Sequence, residues 1–311
     1  MKTLIFSTLM LLGFSSFAQE VSLSFVGDIM LADGPGKYIK QGGDPFKEFR
    51  QDLKKTDFAI GNLECPVSTK GQELKEKPVT FRAHPSSVRV LKDLFHAVGL
   101  ANNHTGDYGT EAFLETLDVL NKNQIHSFGG GKNLKEAHRA LYLEKNGLKI
   151  AVLAYNDFKP RSFEASSESP GLAWLEDDQV LQDFAEVKKQ GADVIIPFLH
   201  WGWEYEGSPN QRQIEIARLM IDNGASIVVG GHPHVTQKFS EYKGKKIIWS
   251  LGNFVFDGFP EGPRRVGWLL QFTATKNSVK DLKVIRARLS EGGIPHRDGE
   301  VDLKSEEFSG I

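Results

Sequence analysis

The segment Gly230-Gly231-His232-Pro233-His234 directly follows the apolar run Ser226-Ile227-Val228-Val229. The run reads as a short buried strand. Two histidines one residue apart, just past a strand end, can bring both imidazoles to one point if the chain curls there. The two glycines are expected to allow that curl, because they accept backbone angles that side chains resist. Pro233 stiffens it and removes a backbone donor. Imidazole is a common ligand for transition metals, so the segment is a candidate metal-binding turn. A surface turn that merely holds two histidines is the plain alternative, and the rest of the chain decides between them.

Working outward, several other predicted strands end in a ligand-type residue. Residues 21–26 form a β-rich run followed by Gly27-Asp28, and residues 57–60 lead into Gly61-Asn62-Leu63-Glu64. Residues 97–100 lead into Ala101-Asn102-Asn103-His104, and residues 194–199 end at His200. Helices are predicted over residues 85–95, 111–120, 180–189 and 211–223, with a polar, helical stretch running to Lys55. Strands alternating with helices imply an α/β domain. Closely spaced strands over residues 235–242, 245–249, 253–256, 266–273 and 282–289 imply a second sheet. Residues 68–78 read as an exposed loop, and residues 156–178 as a long loop or lid. In open α/β sheets the carboxyl edge of the strands is where sites form. Asp28, Glu64, Asn103, His104, His200, His232 and His234 all fall on that edge.

The donor set is mixed. Asp28 and Glu64 are carboxylates, Asn103 is a neutral oxygen donor, and His200, His232 and His234 are imidazoles. Oxygen and nitrogen donors without thiolate suit one or two divalent ions such as manganese, iron or zinc. Six donors exceed the needs of one four-coordinate ion, whereas two ions sharing a carboxylate would use them all. Such a pair clamps the attacking and leaving oxygens of a displacement. Arg82 offers a planar fork for a carboxylate or phosphate. Trp201, Trp203 and Tyr205 are candidates for the wall of a polymer groove, with core packing the alternative for one of them. Asn253, after a strand, is a candidate to orient a metal-binding histidine.

Composition bounds the rest. The 311-residue chain is 40% hydrophobic and 25% charged, with a net charge of −2, so no broad basic field points to nucleic acid. Cys65 is the sole cysteine, so no internal disulfide forms; burial as an inert side chain is expected. Lys2, a short apolar run and Ser16-Phe17-Ala18 read as a signal peptide over residues 1–18, with cleavage before Gln19. No cysteine follows that run to take a lipid. The reading is of an exported protein, periplasmic, extracellular or at the cell surface, with a domain over residues 19–290 and a polar, loosely held tail over residues 291–311.

Several ordered motifs together resemble the CapA family of poly-γ-glutamate capsule synthesis proteins. They are Phe25-Val26-Gly27-Asp28-Ile29-Met30, Gly61-Asn62-Leu63-Glu64, Ala101-Asn102-Asn103-His104, His200-Trp201-Gly202-Trp203-Glu204-Tyr205, Gly231-His232-Pro233-His234 and Ser250-Leu251-Gly252-Asn253-Phe254. Thr80-Phe81-Arg82-Ala83 and Asp107-Tyr108-Gly109 fit the same pattern, and the resemblance spans residues 22–275. It implies a metallophosphoesterase-like sandwich of two mixed β-sheets flanked by helices, related to the calcineurin-like enzymes. It also implies that Asp28, Glu64, Asn103, His200, His232 and His234 hold metal, with Glu64 bridging, and that His104 protonates a leaving group. One departure stands out: Met30 occupies a position where phosphoesterases carry histidine, and a thioether is a poor ligand for a hard ion. One metal position is therefore expected to be weakened.

Three functions follow as expectations. The first is hydrolysis or transfer at a capsule polymer during poly-γ-glutamate synthesis or export, with capsule-synthesis membrane proteins as partners. The second is a secreted phosphoesterase acting on phosphate esters or nucleotides. The third is a non-catalytic protein that binds an acidic polymer. The export reading has a direct test. N-terminal sequencing of protein from its native host should find a chain starting near Gln19; an intact Met1 on soluble cytoplasmic protein would refute it.

Overall fold

The computed structural model describes residues 19–303. The expected signal peptide therefore lies outside the described residues. Two mixed β-sheets pack face to face, with helices on their outer faces, as the resemblance implied. The first sheet orders its strands as Pro295–Glu300, Ser278–Leu289, Val266–Thr275, Val21–Ile29, Phe58–Leu63, Ala97–Gly99 and His126–Phe128, with Asn253–Val255 added beside Val21–Ile29. The second runs Ser240–Tyr242, Lys245–Ile248, Val228–Gly231, Val194–His200, Leu148–Asn156 and Leu141–Lys145.

Side-chain alternation along each strand explains the layers. Val194, Ile196 and Phe198 enter the core between the sheets, whereas Ile195 and Leu199 face the helices Asp177–Lys189 and Gln211–Asp222. The same division separates Ile150 and Val152 from Ala151 and Leu153. Phe25 sits at the centre of the inter-sheet core, stacked on Phe272 at 5.8 Å and edge-on to Phe198 at 5.4 Å.

The central strand Val21–Ile29 breaks its own alternation, and this positions the site. Val21, Leu23 and Phe25 face the inter-sheet core, while Val26 and Ile29, three residues apart, both face outward. The extra residue is Gly27: Val26 pairs with Gly61 and Asp28 pairs with Asn62, so two steps on one strand match one on the other. A bulge of this kind re-aims the side chain that follows it. Here it moves Asp28 out of the outward-facing register. Gly27 also lies against the crossing backbone, where an added Cβ would sit 1.9 Å from the Gly252 oxygen. That approach lets Asp28 N donate to Gly252 O at 3.0 Å and pairs Asp28 with Asn253.

Several expectations need correction. The stretch to Lys55 forms two helices, Asp33–Lys40 and Arg50–Lys55, separated at Gly42-Gly43. Residues 85–95 form a short 3-10 helix, Pro85–Val90, then turns; Asp93, with φ 59°, takes the chain out of a helical path. Its apolar residues Val88, Leu91, Leu94 and Phe95 are nonetheless buried. Residues 235–242 are split into Thr236–Gln237 and Ser240–Tyr242. The strand Leu141–Lys145 was not expected, although Asn146-Gly147, which turns it into Leu148–Asn156, is a strong hairpin signal. Residues 156–178 are not a free lid, because Gly171–Leu172 pairs with Gly130–Gly131 and Ala165, Ala173 and Trp174 are buried. Part of the expected tail, Pro295–Glu300, is an edge strand paired with Ser278–Leu289. Cys65 is buried as expected, and burial pushes its thiol up to about 12.

Truncating Phe25 should expose how much the inter-sheet core carries. Phe25→Ala is expected to cost about 3–5 kcal/mol, the usual penalty for deleting a buried aromatic ring. Denaturant unfolding measures it, with a lowered midpoint and an unchanged slope as the expected result.

Candidate metal centre

The expected strand-end residues converge. Asp28 lies in Val21–Ile29, Glu64 follows Phe58–Leu63, His200 ends Val194–His200 and His232 follows Val228–Gly231. Register places Gly231 beside His200 across the second sheet. The turn itself differs from expectation. Gly230 and Gly231 lie in the extended strand, and the left-handed angles fall on the histidines, His232 at φ 94° and His234 at φ 56°. Holding non-glycine residues there costs on the order of 1–3 kcal/mol each, and such strain collects at functional sites. The glycines serve close packing instead. A Cβ on Gly230 would meet Trp249 O at 2.2 Å, and one on Gly231 would come within 3.0 Å of Asp28 Oδ1.

Two donor groups result: Glu64 with His200 and His232, and Asp28 with Glu64 and His234. Glu64 is common to both, which is the arrangement expected of a bridging carboxylate. Around His200 Nε2 lie Asn103 Oδ1 at 2.7 Å, His232 Nδ1 at 3.0 Å and Glu64 Oε1 at 3.4 Å. In the second group His234 Nδ1 is 3.6 Å from Asp28 Oδ2, and its Nε2 is 3.8 Å from Glu64 Oε1. Donors on a tetrahedral ion with ~2.1 Å bonds stand about 3.4 Å apart, so the separations of Glu64 Oε1 from His200 Nε2 and from His234 Nε2 suit a shared cation.

The polar accounting points the same way. Asp28 Oδ2, both carboxylate oxygens of Glu64 and His232 Nε2 are buried, and none has a hydrogen-bond partner among the described residues. Such groups are costly to leave unmatched. Burial raises the Asp28 carboxyl to about 6, and burial plus the neighbouring Asp28 charge holds Glu64 well above the usual carboxylate range. Burial, together with the neighbouring imidazoles, holds His200 and His232 well below the usual histidine range; burial lowers His234 to about 4. Neutral imidazoles are the metal-binding form, and a divalent cation would reverse the pressure on the carboxylates. The residues present therefore fit a divalent metal.

A second layer fixes the donors. Asn253 Nδ2 donates to Arg264 O at 2.8 Å and His234 O at 3.3 Å, which leaves its Oδ1 to accept from His234 Nδ1 at 2.8 Å. His234 Nε2 is thereby left as the bare nitrogen, the device by which such partners orient ligands. Asn253 thus contacts His234, the ring that it would orient toward a metal. Asn62, quoted in a motif but not singled out from the sequence, donates to Asp28 Oδ1 at 2.9 Å and lies 3.2 Å from His200 Nδ1. Asn102 Nδ2 in turn donates to Asn62 Oδ1 at 2.9 Å.

His104 borders the centre and lines a cleft of about 1410 Å³ together with Asn103 and His234. Its Nδ1 is 2.7 Å from Asp107 Oδ2, and its ring packs on Phe81 at 4.5 Å. Lys77 also enters: its Nζ donates to Asn103 O at 2.6 Å and pairs with Asp107. Residues 68–78 are therefore not wholly an exposed loop, since Lys77 is largely buried at the site. Nothing in the local sequence separates Lys77 from the neighbouring lysines. Arg264 was missed as well; it stacks 3.7 Å over Tyr205 in the same cleft.

The expected substrate contacts divide. Tyr205 lines the cleft, and Trp203 is exposed and packs edge-on to Phe158, a cleft residue. Trp201 is fully buried and donates to Trp249 O at 3.0 Å, so it is core and not wall. Arg82 lies outside the cleft, on a neighbouring groove. Met30 is buried, and its sulfur accepts from Ala32 N at 3.1 Å.

The profile of the family described as "Bacterial capsule synthesis protein PGA_cap" matches residues 22–258. The chain belongs to this family. The "PGA biosynthesis protein CapA" of Bacillus subtilis (strain 168) is 37% identical over 274 residues, covering 85% of this chain and 70% of that protein. The "Capsule biosynthesis protein CapA" of Bacillus anthracis is 32% identical over 294 residues, covering 88% and 69%. Among solved structures, the calcineurin-like phosphoesterase YfkN from Bacillus subtilis aligns with a TM-score of 0.52 at 15% identity, over 90% of this chain and 94% of that one. The Haemophilus influenzae NAD nucleotidase NadN aligns at 0.53 and 12% identity, over 93% and 55%. These likenesses establish the fold as that of the calcineurin-like metallophosphoesterases.

Because Glu64 is common to both donor groups, its loss should be felt at both. Glu64→Gln is expected to reduce bound divalent metal more than His232→Ala or His234→Ala alone, as read by elemental analysis of purified protein. Asn253→Ala, which frees the His234 ring, should weaken affinity by about 10–100-fold without removing a ligand.

Proposed function

We propose that this protein acts in the synthesis or export of poly-γ-glutamate or a related capsule polymer, and that its metal centre hydrolyses or transfers a bond at that polymer. Family membership supports the polymer. The observation that carries the chemistry is the pair of donor groups sharing Glu64, with orphaned carboxylate oxygens, at the base of an open cleft beside His104. Asp28, Glu64, Asn103, His200, His232 and His234 would hold one or two divalent ions. Bound there, such ions supply Lewis acidity and neutralise the charge of an anionic substrate oxygen.

The protein's own groups do the rest. Asp107 accepts from His104 Nδ1 and so leaves Nε2 as the nitrogen available to a molecule in the cleft. Phe81 N donates to the same Asp107 oxygen at 2.7 Å and fixes the carboxylate. As the imidazolium, the form that the Asp107 carboxylate favours against burial, His104 would give its Nε2 proton to the departing oxygen as the bond breaks and be left neutral with Nδ1–H on Asp107. Lys77, paired with Asp107 and bonded to the Asn103 carbonyl, ties the acid to the metal ligand beside it. Arg264 and Tyr205 hold an anionic segment at the cleft wall. We also infer that the protein works outside the cytoplasm, where the N-terminal targeting segment would deliver it.

His104 and Asn103 are neighbours with different chemistry, and that difference is testable. A general acid contributes roughly 10²–10⁴-fold to rate. His104→Ala should keep most of its metal and lose turnover of substrates with poor leaving groups. Asn103→Ala should lose metal and turnover together. A leaving group that needs no proton should rescue the first variant only. Metal analysis paired with turnover on two substrates of differing leaving-group acidity reads this out. Equal metal loss in both variants would make His104 a ligand; full activity in both would favour a protein that binds acidic polymer without turning it over.

A further inference from the structure

A second groove, of about 490 Å³, opens beside the metal cleft and shares Asp33 and Lys37 with it. It runs between the helix Asp33–Lys40 and the 3-10 helix Pro85–Val90. Its floor is apolar, from Leu31, Ala32 and Ile39, and its rim carries Lys37, Lys40, Arg82 and Arg89. Asp33 is the one carboxylate lining it among the described residues. This concentration of positive charge occurs on a chain whose net charge is −2.

The rim charges are not locked into close ion pairs, although Asp257 lies in the field of Lys37. None of the four cations forms an ion pair with a carboxylate among the described residues. Arg82 is held by neutral acceptors, donating to Lys70 O at 3.1 Å, and its guanidinium lies 4.1 Å over the Tyr108 ring. Arg89 donates to the Ile39 carbonyl and so fastens the 3-10 helix to the end of the lysine-bearing helix. Carbonyls and rings orient a guanidinium without cancelling its charge, so both arginines are positioned and remain available to an anion.

We propose that this groove is a secondary binding track for an acidic polymer, holding the part of a polycarboxylate chain that extends beyond the metal cleft. The proposal rests on the polymer reading given above and adds where the chain runs. A long chain with a carboxylate on every unit would place one stretch in the cleft and the next along Lys37, Lys40, Arg82 and Arg89. A short oligomer would occupy the cleft alone. Arg82, absent from the cleft, thereby acquires an anion-binding place on the adjoining surface.

Fluorescence anisotropy on the full mature protein, with labelled γ-linked triglutamate and with long poly-γ-glutamate, separates the possibilities. Lys40→Glu with Arg82→Glu should weaken long-chain binding by about ten-fold or more, most strongly at low salt, where exposed charges are least screened. Triglutamate binding should be unchanged. Lys40→Glu alone, an exposed change at a helix end, should show the same direction, and an unchanged thermal midpoint would establish that the variants are folded. Long-chain affinity equal to wild type in both variants would overturn the track while leaving the cleft reading intact. An equal loss for triglutamate would also overturn it, by placing these charges in the cleft's own field. Tighter binding of polyphosphate than of poly-γ-glutamate at the groove would overturn the carboxylate assignment. If the wild type binds neither glutamate polymer, the polymer reading and the track fall together.

Discussion

Two buried carboxylates, Asp28 and Glu64, offer three oxygen atoms that no proton donor among the described residues reaches. Leaving such atoms dry and unmatched is among the more expensive things a fold can do. Here the cost is concentrated at one point, with neutral imidazoles from three directions around it. A folded chain tolerates this when the same arrangement is stabilised by a ligand that binds the native state and not the unfolded one. A cation bound there would account together for features that are otherwise separate: the bulge at Gly27, the left-handed histidines and the asparagine ladder behind them.

The two sheets act as the rigid frame for that point. Parallel pairing of Val21–Ile29 with Phe58–Leu63 aligns Asp28 with Asn62, and parallel pairing of Val194–His200 with Val228–Gly231 aligns His200 with Gly231. The sheets meet through a packed apolar core, so the strand ends cannot drift independently. Side-chain amides then do the fine positioning. Asn62 links Asp28 to His200 across the two sheets, and Asn253 fixes the His234 ring. Donors on rigid strand ends and short turns keep their geometry better than donors on long loops.

Much of this was legible from the sequence, for a physical reason. Strand ends are marked by a change from apolar alternation to Gly, Asn, Asp or His, and the carboxyl edge of an α/β sheet is where such residues gather. Asp28, Glu64, Asn103, His200, His232 and His234 were found that way. Lys77 was not, because its role comes from a loop folding back over 26 or more residues to reach Asn103 and Asp107, and one lysine among several carries no local mark. Trp201 was misplaced because an aromatic beside a strand end reads the same whether it turns to the core or the cleft. The turn was placed correctly but explained by the wrong residues. Sequence suggests that glycines bend, and here the neighbouring backbone and Asp28 claimed the space beside them, leaving the bend to the histidines.

Met30 marks the departure from the phosphoesterases that the sequence motifs led us to expect. Where a phosphoesterase places an imidazole, the Met30 sulfur is buried and occupied by the Ala32 amide. The two donor groups are also unequal. The group around His200 gathers Glu64, His232 and the Asn103 oxygen, whereas the group around His234 has only Asp28 and the shared Glu64. An ion held by fewer protein donors keeps more positions for water or substrate, the property that separates catalytic sites from structural ones. It is also held less tightly. His234 of the poorer group and Asn103 of the richer one both line the cleft with Tyr205 and Arg264, so an anionic chain arriving there would meet donors of either group.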